Sequence, residues 1–310
     1  MDTARGTAHI VNGLSYTVAA GETVAVVGES GSGKSVSALA LLGLLPGHAR
    51  VRGTARFAGR DLVAMSEAEL RTVRGNGIGT VFQDPMTSLN PVLTIGRQVT
   101  EGLLAHRAVG SKRAARERAA ELLADVGLPD PRGVLSKYPH ELSGGMRQRV
   151  VIAIALAGSP QLLIADEATT ALDVTVQAQI LDLVARLQAE HGTGVVWITH
   201  DLGVVAGTAD RVLVVYGGRC VEDGSVDEVF QAPTHPYTRG LLGSLPSLHE
   251  PGSDLVAIAG TPPPPTDLPP GCVFHPRCPV RDARCATEQP PLVAVGGTHR
   301  AATFCAGGAR

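Results

Sequence analysis

The sequence predicts an α/β fold with a parallel sheet, and three observations support this prediction. The apolar run Thr23 to Val27 is followed by a glycine-rich loop and then by a helical segment, Val36 to Leu45. Apolar runs of strand length return later in the chain, at Leu162 to Ala165, Val195 to Thr199 and Arg211 to Tyr216. A helical segment separates the first two of these runs, and buried strands connected by helices form parallel sheets.

The composition favours a globular protein and excludes several classes of partner. With 310 residues, 44% of them hydrophobic, the chain can bury one large core, or a core plus a small second module. A net charge of -2 offers no basic surface for nucleic acid and no polybasic membrane anchor. The longest apolar run, Val150 to Ala157, is too short to span a bilayer, and no signal peptide opens the sequence. We therefore expect a cytoplasmic protein that binds no nucleic acid.

The glycine-rich loop is typical of a phosphate-binding loop, because it stands in the strand-loop-helix context that this motif requires. Its glycines let backbone N–H groups converge on the phosphates of a nucleotide. Lys34 adds positive charge there, and the Ser35 hydroxyl can bind Mg²⁺. The predicted nucleotide-binding residues of the loop are Gly28, Glu29, Ser30, Gly31, Ser32, Gly33, Lys34 and Ser35.

From residue 83 to residue 157 the pattern becomes helical. Ser111 can cap one helix of this region, and Gly127 can end it. The basic residues of this helix fall on one side, where we expect solvent and not phosphate or nucleic acid. Its apolar residues share the other face, at helical spacing: Ala115, Ala119, Leu122, Leu123 and Val126.

Two adjacent carboxylates, Asp166 and Glu167, follow the apolar run that begins at Leu162. The carboxyl end of a parallel strand is where open α/β sheets hold their ligands. One carboxylate can therefore serve Mg²⁺ while the other orients a water molecule. An alternative is that Asp166 caps the next helix, which is predicted from Val174 to Glu190. The presence of a phosphate-binding loop in the same chain favours the catalytic interpretation.

The C-terminal part has a different composition. A proline-rich tract, Thr261 to Pro270, is predicted to be extended and to separate a cysteine-bearing piece from the rest. The spacings between its cysteines, five, six and nineteen residues, fit neither the common zinc pairs nor ferredoxins. From spacing alone, a four-thiolate metal site and four unrelated reduced thiols are both open. The four cysteines are Cys272, Cys278, Cys285 and Cys305, whereas Cys220 is expected to be a buried, small apolar residue.

Three motifs together resemble the nucleotide-binding subunit of an ABC transporter over about residues 8–231. They are the phosphate-binding loop, the stretch Leu142-Ser-Gly-Gly-Met-Arg-Gln148, and the carboxylate pair. Gln83, Asp173 and His200 match further motifs in the order that the family has. The resemblance implies a P-loop NTPase core of the ABC ATPase type over 1–82 and 159–230, an inserted helical subdomain over 83–158, and a C-terminal extension over 231–310.

The resemblance also implies that the nucleotide site is shared between two subunits. In the family, the residues that correspond to Ser143, Gly144, Gly145 and Gln148 close over the ATP bound to the partner subunit. Their glycine N–H groups and serine hydroxyl lie at a helix N-terminus, where they can donate to the γ-phosphate. Asp173 is implied to communicate across the dimer.

Catalytic roles follow from the same resemblance. Glu167 is implied to polarise the attacking water, and His200 to contact the γ-phosphate. Gln83 senses Mg²⁺ and water and touches the membrane partner, while Ser35 and Asp166 hold the metal. Phosphoryl transfer needs such placement and charge stabilisation more than covalent chemistry.

Four stretches resemble the ATPase subunits of dipeptide and oligopeptide importers: 84–91, 138–143, 235–242 and 271–279. This resemblance implies two transmembrane permease subunits, a second ATPase subunit that is identical or paralogous, and an extracytoplasmic substrate-binding protein. It also implies a peripheral position at the cytoplasmic face of the membrane, and a [4Fe-4S] cluster on the four C-terminal cysteines, with Zn²⁺ as the alternative. Other interpretations are an importer for nickel, glutathione or another small solute, a soluble ABC-type ATPase, and a non-hydrolysing subunit whose cysteines sense redox state.

The chain departs from the family pattern in one respect. Family members place an adenine-stacking aromatic residue before the segment that corresponds to Ala8 to Val11, and residues 1–7 contain none. Tyr16 lies in a predicted strand, Leu14 to Val18, and is expected to pack rather than stack. Either the start lies upstream, or adenine is held by weaker apolar contacts such as Val11. The affinity for nucleotide depends on the answer, since one stack contributes about 1–3 kcal/mol.

Overall fold

The computed structural model describes residues 1–3, 6–82, 88–169, 173–245 and 257–305. Within these ranges the strands are β1 (Asp2–Thr3), β2 (Gly6–Thr7), β3 (Thr23–Val27), β4 (Arg56–Phe57), β5 (Arg60–Asp61), β6 (Ile78–Val81), β7 (Leu162–Asp166), β8 (Gly194–Thr199), β9 (Arg211–Tyr216), β10 (Arg219–Ser225), β11 (Val293–Gly296) and β12 (His299–Ala301). The α-helices are α1 (Lys34–Leu41), α2 (Glu67–Val73), α3 (Ile95–Ala105), α4 (Lys112–Asp125), α5 (Pro131–Val134), α6 (Gly144–Leu156), α7 (Val174–His191), α8 (Leu202–Thr208), α9 (Val226–Gln231) and α10 (Pro236–Gly243).

The chain divides into two compact units. The first consists of Met1–Thr17, Thr23–Ala55 and Ile198–Arg310, and the second of Val18–Glu22 and Arg56–Trp197. The strand β8 contains a boundary between them, so that its first four residues belong to the second unit. No described helix combines the length and the apolar character that crossing a bilayer requires.

The first unit contains a run of strands in the order β11, β12, β10, β9, β3. The strands β3 and β9 are parallel, with Val24 opposite Arg211, and the remaining pairs are antiparallel. The last two strands of the chain therefore extend the sheet that carries β3. This differs from the expectation that the proline-rich tract separates the cysteine-bearing piece from the rest. Two residue pairs, Glu222 with Ala301 and Asp223 with Arg300, connect β12 to β10.

The core of the first unit explains why its strands read as continuous apolar runs. All five residues of β3 and the last five of β9 are buried. A single cluster of buried side chains joins residues of these strands to the C-terminal cysteines, and it includes Val27, Tyr216, Tyr237 and Phe274. Both strands have the bounds that the sequence predicts, because polar turn residues flank each apolar run.

The second unit combines the parallel pair β6 and β7 with a group of packed helices. Ile78 lies opposite Leu162 in the pair. The helices α3, α4 and α6 pack against one another. The prediction for α4 is confirmed: the Ser111 hydroxyl accepts a hydrogen bond from the backbone N–H of Ala114 at 3.1 Å, and all five predicted core residues of this helix are buried. Gly127, with φ of 71°, follows its end.

Two predictions near the N-terminus differ from the structure. The helix after the loop begins earlier than predicted because Gly33 is its N-cap, and it ends earlier because Gly43, with φ of 61°, reverses the chain. Residues 14–18 form no strand in the structure, although partly buried and exposed side chains alternate along them. Tyr16 packs as expected, and burial raises its pKa to about 12.

Candidate nucleotide-binding site

The phosphate-binding loop connects β3 to α1 and is packed tightly against neighbouring backbone. Gly28 has φ of 150°, and a Cβ at this position would collide with the carbonyl oxygen of Val215. Gly33 has φ of 99°, and its Cβ would lie 2.6 Å from the carbonyl oxygen of Ile10. Only glycine fits both positions. The sequence predicts that these glycines allow backbone N–H groups to reach phosphates. In the structure they also leave room for the carbonyl groups of Val215 and Ile10.

Lys34 holds its charge inside the loop. Its side chain is buried, and the ammonium donates hydrogen bonds to the carbonyl oxygens of Gly28 at 2.7 Å and Glu29 at 3.0 Å. Lys34 is also the first residue of α1, so the ammonium and the positive end of the helix dipole are close together. Two positive contributions at one helix N-terminus favour an anion such as phosphate. Ser35 follows and is partly exposed.

Glu29 is held by two residues, Tyr237 and Arg277, that no sequence motif identifies as site residues. Its backbone N–H donates to the hydroxyl oxygen of Tyr237 at 2.8 Å. Its carboxylate accepts two hydrogen bonds from the guanidinium of Arg277, at 2.6 and 3.0 Å. The only sequence signal for these partners is that each lies in a stretch with resemblance to peptide importers, 235–242 and 271–279.

Of the predicted catalytic residues, His200 lies in the first unit, where it follows β8 and is exposed. The turn at this point is fixed by its neighbours. The backbone N–H of Asp201 donates to the Thr199 hydroxyl at 2.9 Å, and the Asp201 carboxylate caps α8 by accepting from Gly203 at 2.9 Å. His200 therefore stands on an ordered strand-to-helix turn.

The carboxylate pair belongs to the second unit. Asp166 is the last residue of β7 and is 7% exposed. Glu167 follows with φ of 48°, a left-handed conformation that costs energy for any residue except glycine. Such strain is typical of functional positions. The capping alternative for Asp166 is wrong, because Asp173 caps α7 by accepting from the N–H of Val176 at 3.0 Å.

The second glycine-rich motif forms the N-terminus of α6 in the same unit. The Ser143 hydroxyl caps the helix by accepting from the N–H of Met146 at 3.3 Å. Ser143 and Gly144 are exposed, and Gly145 is partly exposed. Gln148 is 1% exposed, and its side-chain nitrogen has no hydrogen-bond partner among the described residues. The N-terminal end of the motif is thus accessible, whereas its glutamine lies in the interior.

Gln83 falls outside the residues that the structure describes.

The C-terminal cysteines gather in the first unit. Cys272, Cys278 and Cys285 are buried, and Cys305 is partly buried. Burial raises the pKa of Cys272 and of Cys278. Neighbouring thiols add to the increase: Cys285 and Cys305 act on Cys272, and Cys305, Cys272 and Cys285 act on Cys278. Cys220 is buried as predicted, and burial is the main cause that raises its pKa to about 12.

Backbone hydrogen bonds act in the opposite direction on two of these sulfurs. Those of Phe274 and His275 lower the pKa of Cys272, and that of Val280 lowers the pKa of Cys278. Hydrogen bonds to sulfur are typical of metal-bound thiolates. The donor set and its surroundings therefore fit a thiolate site in kind. In the part of the chain that the structure describes, however, no group of three or more His, Cys, Asp or Glu residues has the geometry to hold a metal ion.

Comparison with known families decides the relationship. The family model described as "ABC transporter" matches residues 11–170. The chain belongs to the ABC transporter family. A second model, "Oligopeptide/dipeptide transporter, C-terminal region", matches residues 221–285 of this ABC transporter chain. The predicted family is thus confirmed, and the second match contains Tyr237, Arg277 and three of the four cysteines.

Relatives of known name support both matches. The oligopeptide transport ATP-binding protein OppD of Bacillus subtilis is 52% identical over 298 residues, which are 95% of this chain and 83% of the relative. OppD of Salmonella typhimurium is 51% identical over 284 residues, covering 92% of this chain and 84% of the relative. OppD of Mycobacterium bovis is 54% identical over 293 residues, but the chain spans only 48% of that relative's length.

Solved structures with this fold include two ABC transporter cassettes. The dimeric, post-hydrolysis structure of the ATP-binding cassette MJ0796, bound to ADP and Pi, is 31% identical with a TM-score of 0.63, covering 70% of this chain and 90% of that one. The structure of cbiO1 from Clostridium perfringens, part of the complex cbiONQ, is 29% identical with a TM-score of 0.62, covering 75% and 88%. The predicted α/β fold of the ABC ATPase type is confirmed.

Proposed function

We propose that this chain binds ATP and hydrolyses it to drive the import of dipeptides or oligopeptides. The observation that carries the proposal is the loop between β3 and α1, in which the Lys34 ammonium and a helix N-terminus create one anion site. The family match and the ATP-binding relatives support ATP as the anion. The C-terminal match supports peptide as the imported solute.

The proposed division of labour follows the family. The loop from Gly28 to Ser35 binds the phosphates, and Ser35, Asp166 and Gln83 hold Mg²⁺, which neutralises charge on the phosphates when bound. Glu167 orients and polarises the attacking water. His200 donates to the γ-phosphate as charge accumulates on its oxygens.

We further propose that hydrolysis requires two ATPase subunits. The exposed N-terminus of α6, with Ser143, Gly144 and Gly145, contacts ATP that is bound by the other subunit, and Asp173 communicates between the two. Gln148 contributes from the interior by supporting this helix. The exposure of Ser143 supports an intermolecular contact, and the cassette MJ0796, with a similar fold, is a dimer in its solved structure.

Transport requires partners that span the membrane. We propose two permease subunits, a second ATPase subunit that is identical or paralogous, and an extracytoplasmic substrate-binding protein, with this chain at the cytoplasmic face. Purification of the tagged chain from membranes, followed by identification of the bound proteins and ATP-dependent uptake into proteoliposomes, tests the proposal. Uptake of oligopeptides supports it; uptake of nickel or glutathione but not of peptides would assign another solute.

We propose that the four C-terminal cysteines hold a [4Fe-4S] cluster, with Zn²⁺ as the alternative. Support comes from the place of Cys272, Cys278 and Cys285 in one buried cluster and from the backbone hydrogen bonds to two of the sulfurs. Anaerobic purification followed by iron, sulfide and zinc analysis tests this. About four iron and four sulfide per chain are expected for the cluster, and stoichiometric zinc without iron would reject it.

A further inference from the structure

Glu29 in the phosphate-binding loop is fixed at three points. Its carbonyl oxygen accepts from the Lys34 ammonium at 3.0 Å, and its N–H donates to Tyr237 at 2.8 Å. Its carboxylate forms a two-fold hydrogen bond with the guanidinium of Arg277. Two of these three contacts come from residues far along the chain, so the conformation of the loop depends on the C-terminal part.

Arg277 is itself held firmly. Its side chain is 5% exposed. The guanidinium donates to the carbonyl oxygens of Ala259 at 3.0 Å and Ile258 at 3.3 Å, and to the hydroxyl of Tyr216 at 3.3 Å. These three contacts order the Arg277 side chain independently of its hydrogen bonds to the Glu29 carboxylate. This partly buried ion pair is weak support for stability, but its two-fold hydrogen bond restricts the relative position of the two side chains.

The position of Arg277 in the sequence connects the loop to the cysteines. Arg277 ends the short 3-10 turn His275–Arg277, which lies between Cys272 and Cys278. Phe274, just before this turn, packs on Tyr216 and Tyr237 with ring centroids 5.2 and 5.4 Å apart. A movement of the cysteine-bearing turn would therefore move the guanidinium and one wall of the aromatic cluster.

We propose that Arg277 is a positioning residue for the phosphate-binding loop, through which the conformation of the cysteine-bearing turn sets the affinity for nucleotide. This rests on the proposed function in so far as the nucleotide is ATP. A loop that is held in one conformation has its N–H groups already directed, whereas a loosened loop must be ordered at the expense of binding energy. Arg277 acts on binding and not on the attacking water.

The first test compares variants of the full chain in equilibrium binding of mant-ATP. Arg277→Ala and Glu29→Gln should each raise the Kd about tenfold, a usual size for coupling between two sites. The double variant should show the same tenfold loss, because either change breaks the same charged, two-fold hydrogen bond. Exposed Arg281 in the same segment provides the matched control, and Arg281→Ala should leave the Kd unchanged. Additive losses, or no loss in Arg277→Ala, would overturn the proposal.

A second readout separates positioning from loss of structure. In the assembled ATPase complex, Arg277→Ala should raise the KM for ATP about tenfold and leave kcat within about twofold. Arg277→Lys should rescue part of the affinity, because it retains the charge but not the two-fold hydrogen bond. If thermal melting shows that Arg277→Ala does not fold, Arg277→Lys and Glu29→Gln decide the matter, and wild-type KM in both would overturn the proposal.

The third test addresses the cysteines. Amide hydrogen exchange of the loop, residues 28–35, should become faster in Arg277→Ala and in Cys278→Ala, and combining the two should add nothing. Independent, additive effects would show that the cysteine-bearing turn does not act through Arg277. Failure of the proposed function is distinguishable, because then the wild-type chain would not bind mant-ATP at all.

Discussion

Two glycine-rich helix N-termini in this protein are built in opposite ways. At α1 the N-cap is Gly33 in a left-handed conformation, and it makes no side-chain cap hydrogen bond. At α6 the N-cap is Ser143, whose own hydroxyl caps the helix. The first terminus lies in a loop packed against backbone on two sides, whereas the residues of the second are exposed.

The difference between the N-termini of α1 and α6 indicates which part of the proposed nucleotide site a single chain can form. The loop before α1 carries its own cation and is supported by Tyr237 and Arg277, so we expect a preformed anion site within one unit. The N-terminus of α6 offers donors to solvent, and its motif sequence alone does not distinguish it from an ordinary capped helix. The two sites should therefore respond differently to substitution.

The largest effect is expected on ATP turnover, at Glu167, which belongs to neither of the two helix N-termini. Glu167→Gln should lower ATP turnover on the order of a thousandfold, because it removes the group that is proposed to polarise water. Binding of ATP to the loop and dimerisation through α6 should both survive, which isolates them from the chemistry. Turnover in the assembled complex, together with size-exclusion chromatography in ATP, provides the measurement. Near wild-type turnover would contradict the assignment of Glu167.

The next effect compares one glycine from each terminus. Gly28→Ala should destabilise the protein by at least about 3 kcal/mol, or abolish nucleotide binding, because the added methyl collides with backbone at a positive φ. Gly144→Ala is the matched control: its Cβ would meet nothing within 4 Å, and stability should change by less than about 0.5 kcal/mol. Denaturant unfolding measures both. Equal effects would remove the distinction between a packed and an open terminus.

A pH effect is expected at α10, the helix that carries Tyr237 and so supports the loop before α1. Burial lowers the pKa of His235, the N-cap of α10, to about 3, so its imidazole stays neutral in the folded protein. The unfolded chain binds this proton below about pH 6.5, so the contribution to stability is complete above that pH and is lost as the pH falls towards 3. Between pH 6.5 and 5 the loss should reach about 2 kcal/mol.

The control for this prediction is His235→Asn, which retains a capping oxygen but not the titration. Unfolding free energies of the two proteins should therefore diverge between pH 5 and 7. Because α10 carries Tyr237, the protection of residues 28–35, which is exchange corrected for its intrinsic pH dependence, should fall at pH 5 in the wild type but not in His235→Asn. Parallel pH profiles of the two proteins would show that His235 is not the titrating group.

The smallest effect is expected at the exposed terminus. Ser143→Ala should cost about 1 kcal/mol through loss of the helix cap. Binding of ATP to the isolated chain should not change, whereas ATP-dependent dimerisation and turnover should fall, since the hydroxyl is proposed to act on the partner's nucleotide. A fully active variant, or a monomer that hydrolyses ATP unaided, would contradict the shared site.

Local features could be predicted from the sequence because their causes are local. The strands Thr23–Val27 and Arg211–Tyr216 are bounded by polar turn residues, and α4 has both its serine cap and its glycine stop. The predicted end of α1 is wrong because Gly43 turns the chain before the apolar pattern ends. The motif around Ser143 was recognisable, but the burial of Gln148 depends on packing that the motif does not encode.

The contacts that support the loop could not be predicted in this way. Glu29 is 208 residues from Tyr237 and 248 residues from Arg277 in the sequence. No periodicity or capping rule relates residues at such separations, and only the resemblance to peptide importers selected their two stretches. The pairing of β12 with β10 is unpredictable for the same reason, since neither strand carries a signal for its neighbour.

That pairing has a practical consequence for shortened versions of the protein. Without the last fifty residues, β10 would become an open edge with unpaired peptide groups, a template for strands of other molecules. Glu222, completely buried, would also lose the imidazole of His299 that lies 2.7 Å away. A chain shortened in this way should consequently be prone to aggregate, because the C-terminal strands cover the edge of the sheet.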